Sequence, residues 1–139
     1  MKEKHNSQIE EIVFSGIEVQ EVFEEGDTMG GISLGRFLIE NRSAMPKRAV
    51  VSRVDVIAGT AGKRMKPFFV YRLPDYDECA DKRVTVTAGE RMEIVVSFPP
   101  IPPPGSGGEC RVNVELKSGR SKLLASSPVS IVKMLHERQ

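Results

Sequence analysis

The stretch from residue 83 to residue 98, RVTVTAGERMEIVVSF, is the most regular pattern in the sequence. Apolar residues occupy every second position on both sides of the tripeptide Ala88-Gly89-Glu90. A period of two places these side chains on one face of an extended strand, whereas an amphipathic helix needs apolar residues three and four positions apart. The stretch therefore predicts two strands joined by a turn, with an apolar face that other strands must cover.

Similar alternating segments recur along the chain between turns rich in glycine, proline and asparagine, and no amphipathic helix of three turns is evident. In the first segment the alternation changes phase at Ser15-Gly16, which predicts a bulge or kink. A chain of 139 residues is the size of one domain. We expect a flexible segment at residues 1–9, one domain at residues 10–133 and a tail at residues 134–139.

The segment AVVSRVDVIAG, residues 49–59, predicts a strand with Val50, Val54 and Val56 on one face and Arg53 and Asp55 on the other. The following GTAGKRMK is interpreted as a hairpin or an inter-strand loop. Its glycine and lysine do not match a phosphate-binding loop. Together the segments predict about seven to nine strands in an antiparallel β-sandwich or barrel.

Three of these segments resemble immunoglobulin-like and fibronectin III-like modules: ENRSAMPKRAVVSRVDV, then VTVTAGERMEIVVSF, then ECRVNVELKSG after a proline and glycine loop. The resemblance covers residues 36–132 and implies an all-β, antiparallel immunoglobulin-like β-sandwich. The chain lacks the strand tryptophan of antibody domains, and Cys79 and Cys110 are too close in sequence to be their inter-sheet pair. An antibody-type domain is therefore excluded.

Residues 1–12 lack the apolar run of a secretory signal, and no segment has the length of apolar residues that a membrane span requires. We therefore expect an intracellular, cytoplasmic protein in which Cys79 and Cys110 are reduced thiols.

Few residues in the sequence are suited to catalysis. The only histidines are His5 and His136, both close to a terminus, and the sequence contains no G-x-S-x-G nucleophile motif. The acidic loop with Asp75, Asp77, Glu78 and Asp81 lacks the glycine and distal glutamate of a calcium-binding EF-hand, so we interpret it as solvated. The sequence predicts a non-enzymatic protein with no cofactor and no metal.

Charge is unevenly distributed, although the formal net charge is only +1. The formal charges from Glu10 to Asp27 are all acidic, whereas basic residues dominate from Arg36 to Arg72. The basic stretch either pairs with the acidic one, is solvated, or forms a contact surface. Its candidate partner-binding residues are Arg53, Lys63, Arg64, Lys66 and Arg72.

These observations predict a protein-interaction or scaffolding module that docks another protein through a sheet edge or the basic loop. No nucleic acid partner is expected. The alternative is a C2-like module that binds phospholipid at a membrane surface through the same basic residues, with calcium held in the acidic loop.

The stretch SFPPIPPPGSGG, residues 97–108, is similar to the proline-rich ligands of EVH1 domains at Phe98–Pro102. However, Phe98 continues the alternation of Met92, Ile94 and Val96. The sequence therefore predicts a buried ring, with the prolines ending the strand and the glycines forming a connection.

Overall fold

The computed structural model describes residues 11–24, 31–59, 61–67, 69–101 and 109–134. These residues form eleven strands and one short 3-10 turn at Ala80–Lys82. The strands are β1 (Ile12–Ile17), β2 (Val19–Glu24), β3 (Ile32–Asn41), β4 (Lys47–Ala58), β5 (Ala61–Met65), β6 (Phe69–Arg72), β7 (Asp77–Glu78), β8 (Arg83–Val86), β9 (Arg91–Ile101), β10 (Cys110–Ser118) and β11 (Ser121–Met134).

The strands form two sheets. The five-stranded sheet has the order β1-β3-β9-β6-β7, and the six-stranded sheet has the order β2-β11-β10-β4-β5, with β8 also paired to β4. Neighbouring strands are antiparallel, except that β2 runs parallel to β11. The predicted all-β, immunoglobulin-like sandwich is confirmed. The strand count exceeds seven to nine because the first strand divides between the sheets and β5 to β7 are short.

The core lies between the two sheets and contains the inward residue of each alternating pair. Phe14 of β1 stacks on Phe37 of β3 with ring centroids 5.4 Å apart. All six apolar residues that alternate within residues 83–98 belong to this core and are buried, as the sequence predicts. The largest fully buried side chains are Phe37, Ile12, Ile32, Ile39, Ile94, Leu116, Leu123, Val54, Val56, Val70, Val86 and Val96.

Asn41, at the end of β3, ties the two sheets together through its buried amide. Its Nδ2 donates hydrogen bonds to the carbonyl of Val86, at 2.9 Å, and to that of Met45, at 2.8 Å. Its Oδ1 accepts a hydrogen bond from the backbone N–H of Ser43 at 2.9 Å. The amide thus fixes both the turn after β3 and the end of β8, and every one of its polar atoms is satisfied despite burial.

The first strand passes from one sheet to the other after Ile17, just beyond Ser15-Gly16, where the sequence predicts a bulge or kink. β1 pairs with β3 up to Ile17, and β2, which begins at Val19, pairs with β11. A side chain at Gly16 would overlap the backbone carbonyl of Ser126. Beside it, the buried hydroxyl of Ser127 donates to the carbonyl of Ile17 at 2.6 Å and accepts from the backbone N–H of Arg36 at 3.2 Å. The pairing of β1 with β3 contains no bulge at Ser15-Gly16, and the strand instead changes sheets after Ile17.

The expectation that the prolines end their strand is wrong, because β9 continues through Pro99 and Pro100 to Ile101. Between the pairs Ile32–Ile101 and Leu34–Ser97 the register shifts, so the prolines lie in a bulge. A residue in a bulge has no ladder partner, and the missing N–H of proline costs no hydrogen bond there. Phe98 is 2% exposed, as predicted, so its ring belongs to the core and is not accessible to a partner.

The structure extends two of the predicted loops into short strands. Of the two alternatives for the segment GTAGKRMK, the structure has the hairpin: its strand β5 pairs with β4 around the left-handed Gly59, with a φ of 66°. The acidic loop contains the short strand β7 and the 3-10 turn. Cys79 and Cys110 are not joined by a disulfide. No helix among the described residues is long and apolar enough to cross a membrane.

Several sequence-based assignments lie outside the described residues. They include His5, His136, the segment 102–108, the flexible segment 1–9 and the tail beyond Met134. The domain limits therefore stay a prediction.

Replacing Gly16 with alanine is expected to lower the free energy of unfolding by at least about 3 kcal/mol, because backbone atoms must move to admit the methyl group. The measurement is the midpoint of urea unfolding. The control is Gly62→Ala on β5, where the added methyl would meet only the end of the Ile57 side chain, at 3.2 Å. Equal midpoints for the two variants would contradict the close crossing.

Candidate functional site

A row of side chains on the outer face of the six-stranded sheet crosses four strands at one level. In the register of β11, β10, β4 and β8, Lys122 lies opposite Lys117, Lys117 opposite Val50, and Val50 opposite Arg83. Directly opposite residues project from the same face of a sheet. The three cations are exposed and Val50 is partly buried between them.

Val50 lies on this face because of a bulge in β4. The register between β4 and β10 shifts between Glu115 and Leu116, so that Val51 pairs with Leu116 while Arg53 pairs with Glu115. The extra residue, Ser52, reverses the alternation, and Val50 therefore points away from the core. The prediction that Val50 shares a face with Val54 and Val56 is wrong for this reason.

Arg48 and Thr85 form a second row beside the first. They are opposite each other in the β4–β8 pair, two residues from Val50 and Arg83, and both are exposed. Side chains two residues apart on a strand share a face. Together the two rows surround a cleft of about 440 Å³, lined by Arg48, Ala49, Val50, Arg83, Val84, Thr85 and Lys117. We call it the basic cleft, with Lys122 at its margin.

The cations of the basic cleft are only partly balanced by nearby carboxylates, since Lys117 and Lys122 interact with the charge of Glu115 without forming an ion pair. Arg48, Arg83, Lys117 and Lys122 form no ion pair with any residue that the structure describes. Like charges close together repel, and a bound anion relieves that repulsion. A concave surface lined by charges of one sign also concentrates oppositely charged ligands. The basic cleft therefore favours an anionic ligand.

Glu115 lies between the basic cleft and the next group of charges on the same face. Its side chain is largely buried, and its Oε1 accepts a hydrogen bond from the Ser52 hydroxyl at 2.7 Å. This hydrogen bond lowers the pKa of Glu115, and the positive charges of Arg53, Lys122 and Lys117 lower it further, against the opposing effect of burial. Glu115 therefore remains ionised at neutral pH.

Two of the predicted partner-binding residues, Arg53 and Arg64, come together on this face. Both contact Asp55, Arg53 at 3.3 Å and Arg64 at 3.0 Å. Arg53 also lies 3.8 Å from Glu115. These arginines and carboxylates form a ladder of alternating charge across β5, β4 and β10, so the structure places them together but already paired.

The other three predicted residues lie elsewhere. Lys63 is opposite Val56 and so projects from the other face of β5, and Lys66 follows the end of that strand. Arg72 belongs to the five-stranded sheet, where its Nη2 lies 2.5 Å from Glu90. The five residues thus form no single surface. Their role in partner binding stays a prediction.

The basic cleft is not evident from the sequence, because its members come from strands that are distant in sequence. One signal was present: Lys117 and Lys122 flank the turn at Ser118–Ser121, a spacing that makes them neighbours across a hairpin. Their approach to Arg48 and Arg83 depends on the β4–β10 and β4–β8 registers, which no local pattern specifies.

The acidic loop offers no calcium site among the described residues, since no three histidine, cysteine, aspartate or glutamate side chains are close enough there to share a metal ion. Cys79, which follows β7, is partly buried. Burial raises the pKa of its thiol, and Arg72 offsets this only in part. The thiol is therefore protonated and poorly nucleophilic at neutral pH.

By architecture this chain is an immunoglobulin-like β-sandwich with a basic cleft on one outer face. No protein-family model matches its sequence, and no curated protein matches it. Comparison with solved structures finds a family 123 glycoside hydrolase from Clostridium perfringens, at 8% sequence identity and a TM-score of 0.51. The match covers 91% of this chain but only 28% of the hydrolase chain.

Two other matches have lower TM-scores. The PapD-like domain 7 of human CEP192 matches at 12% identity and a TM-score of 0.38, covering 99% of this chain and 92% of that one. The Acinetobacter baumannii CsuC-CsuE chaperone–adhesin pre-assembly complex matches at 11% identity and a TM-score of 0.43, covering 88% and 51%. At these identities the likeness concerns the fold alone.

Replacing Glu115 with glutamine is expected to reduce the free energy of unfolding by about 1 kcal/mol at neutral pH, since the ionised carboxylate makes the stronger hydrogen bond with Ser52. A carboxyl with a lowered folded-state pKa contributes stability above its unfolded pKa of about 4.3 and loses it as the pH falls through the folded value. Urea midpoints of the two proteins should therefore converge at acidic pH. A difference between the two urea midpoints that persists at acidic pH would contradict the lowered pKa of Glu115.

Proposed function

We propose that this protein is a non-enzymatic interaction module that binds an acidic segment of another protein in the basic cleft. The observation that carries the proposal is the group of unpaired cations, Arg48, Arg83 and Lys117, around one cavity on a sheet face. Arginine clusters recognise acidic and phosphorylated peptides through charge-assisted hydrogen bonds. The fold supplies a rigid support for such a cluster, because all three residues lie on paired strands.

An extended peptide is the proposed ligand of the basic cleft. It lies over β8, which pairs with β4 and is not part of the main strand order of the sheet. An extended peptide presents alternate side chains to the same side, about 6.6 Å apart. Two such carboxylates can reach Arg83 and Lys117, while Val50 offers an apolar contact between them. A single small anion would use only part of this surface.

The proposal requires no catalytic residue, metal or cofactor, and it retains the expected intracellular, cytoplasmic location. A membrane surface is the competing ligand, because anionic headgroups also attract clustered lysines and arginines. The peptide is preferred because the cations surround a cleft of about 440 Å³, which the side chains of a peptide can enter. A flat membrane surface would reach only the rim.

Neutralising two cations of the cleft, in the double variant Arg83→Gln/Lys117→Gln, is expected to weaken binding of a glutamate-rich peptide at least tenfold. Tenfold corresponds to about 1.4 kcal/mol, and each hydrogen bond to a charged group is worth about 1.5–3 kcal/mol. The measurement is fluorescence anisotropy of the labelled peptide at low ionic strength, where surface charges are least screened. A phosphoserine peptide in parallel shows which anion is preferred.

The matched control is Lys63→Gln/Lys66→Gln, which removes the same charge from two exposed residues outside the cleft. The proposal expects this control to bind nearly as well as the unmodified protein. Weakening by the control alone would instead support the basic loop predicted from sequence. Equal binding of the peptide by the unmodified protein and by both double variants would overturn the peptide-binding function. Binding by the protein only to vesicles that contain anionic lipid would also overturn it.

A further inference from the structure

Three aromatic side chains lie together on the outer face of the five-stranded sheet, on the side of the sandwich opposite the basic cleft. The ring centroids of Phe69 and Tyr71 are 5.8 Å apart, and those of Tyr71 and Tyr76 are 6.3 Å apart, tilted by 60°. Tyr76 is 61% exposed and Phe69 is 37% exposed. We call this group the aromatic surface. Its exposure is unusual in a chain with only eight aromatic residues, six Phe and two Tyr.

The sheet register places the aromatic surface on an outer face. Phe69 is opposite Ser97, and Tyr71 is opposite Val95, a residue that alternates with the core residues Ile94 and Val96. Val95 is nevertheless buried, so side chains on the outer face cover it. Tyr76 comes from the turn after β6 and has a left-handed backbone, with a φ of 57°. The turn thus directs its ring back towards Tyr71.

Carboxylates border the aromatic surface. Glu78 is directly opposite Tyr71 in the β6–β7 pair, and Asp75 precedes Tyr76 in the chain. Asp77 is opposite Arg72 and therefore projects from the other face of β7. Glu78 and Asp75 are exposed, and neither forms an ion pair within the described part of the chain. The nearby cation Arg72 is already held by Glu90. The border is therefore acidic and available to a basic ligand.

We propose that the aromatic surface binds an arginine-containing basic segment of a protein. A guanidinium can stack on the exposed face of a tyrosine ring and still donate hydrogen bonds in its own plane to carboxylates beside the ring. Tyr76 and Tyr71 supply the faces, and Glu78 and Asp75 supply the carboxylates. The ammonium group of lysine cannot make both contacts in the same way, because it is compact and strongly hydrated.

The arrangement of the rings also specifies how the ligand binds. Centroid distances of 5.8 Å and 6.3 Å leave no room for a cation between the rings. The guanidinium must therefore lie on their exposed outer faces, where Tyr76 offers the largest area. This surface is separate from the basic cleft and has the opposite charge preference, so the two sites can be tested independently.

The test uses a short fluorescent peptide of alternating arginine and glycine, with binding to the full chain followed by anisotropy. Tyr76→Leu keeps an apolar side chain of similar size but removes the ring, and it should weaken binding about five- to tenfold, consistent with a cation–π contribution of about 1 kcal/mol. Tyr76→Phe keeps the ring and should bind like the unmodified protein. The double variant Asp75→Asn/Glu78→Gln should also weaken binding, and a lysine–glycine peptide should bind less tightly.

Similar binding of the arginine peptide to the unmodified protein and to Tyr76→Leu would overturn the proposal, since the contact would then depend on charge alone. Absence of binding to the unmodified protein would also overturn it. A second copy of this chain is the alternative occupant, and sedimentation velocity of the unmodified protein tests for it. In that case the protein self-associates, and the self-association is lost in Tyr76→Leu and in Arg83→Gln/Lys117→Gln. That double variant should leave binding of the arginine peptide unchanged if the proposal is correct.

Discussion

The two sheets are joined where the first strand leaves one and enters the other, and this crossing depends on the absence of a side chain at Gly16. The backbone of β1 can approach β11 only because no Cβ separates it from the Ser126 carbonyl. Ser127 then bridges Ile17 and Arg36 with one buried hydroxyl. Because β2 pairs with β11 beyond this point, the crossing fixes the position of the six-stranded sheet, and with it the outer face that carries the basic cleft.

The cations on that outer face differ in whether an anionic ligand must first displace a carboxylate of the protein. Arg53 and Arg64 already contact Asp55, so an incoming anion must compete with a carboxylate that the protein itself supplies. An exposed ion pair contributes at most about 1 kcal/mol, yet the ligand must replace it before gaining anything. Arg83 and Lys117 have no such partner within the described residues. We therefore place the proposed ligand at Arg83 and Lys117, where it displaces no ion pair of the protein, rather than at the cations that cluster in sequence.

The sequence predicts the fold well where local alternation decides it. The segment around Met92 to Phe98 identifies core residues correctly, because inward and outward positions on a covered strand differ in polarity. It fails at bulges. One extra residue at Ser52 moves Val50 to the outer face, and the bulge in β9 carries the strand through Pro99 and Pro100. Bulges depend on the partner strand, which a reading of one segment does not include.

Strand alternation explains how a chain with a formal net charge of only +1 can offer surfaces of both signs. Alternate residues project to opposite sides, so Arg83 and Lys117 gather outside one sheet, while Glu78 lies beside Tyr71 outside the other. At physiological ionic strength the screening length is about 8 Å, whereas the core between two packed sheets is itself about 10 Å thick. The charges of one outer face therefore act almost independently of those on the other. A ligand at either face responds to the local charge there, and the nearly neutral total neither attracts nor repels it.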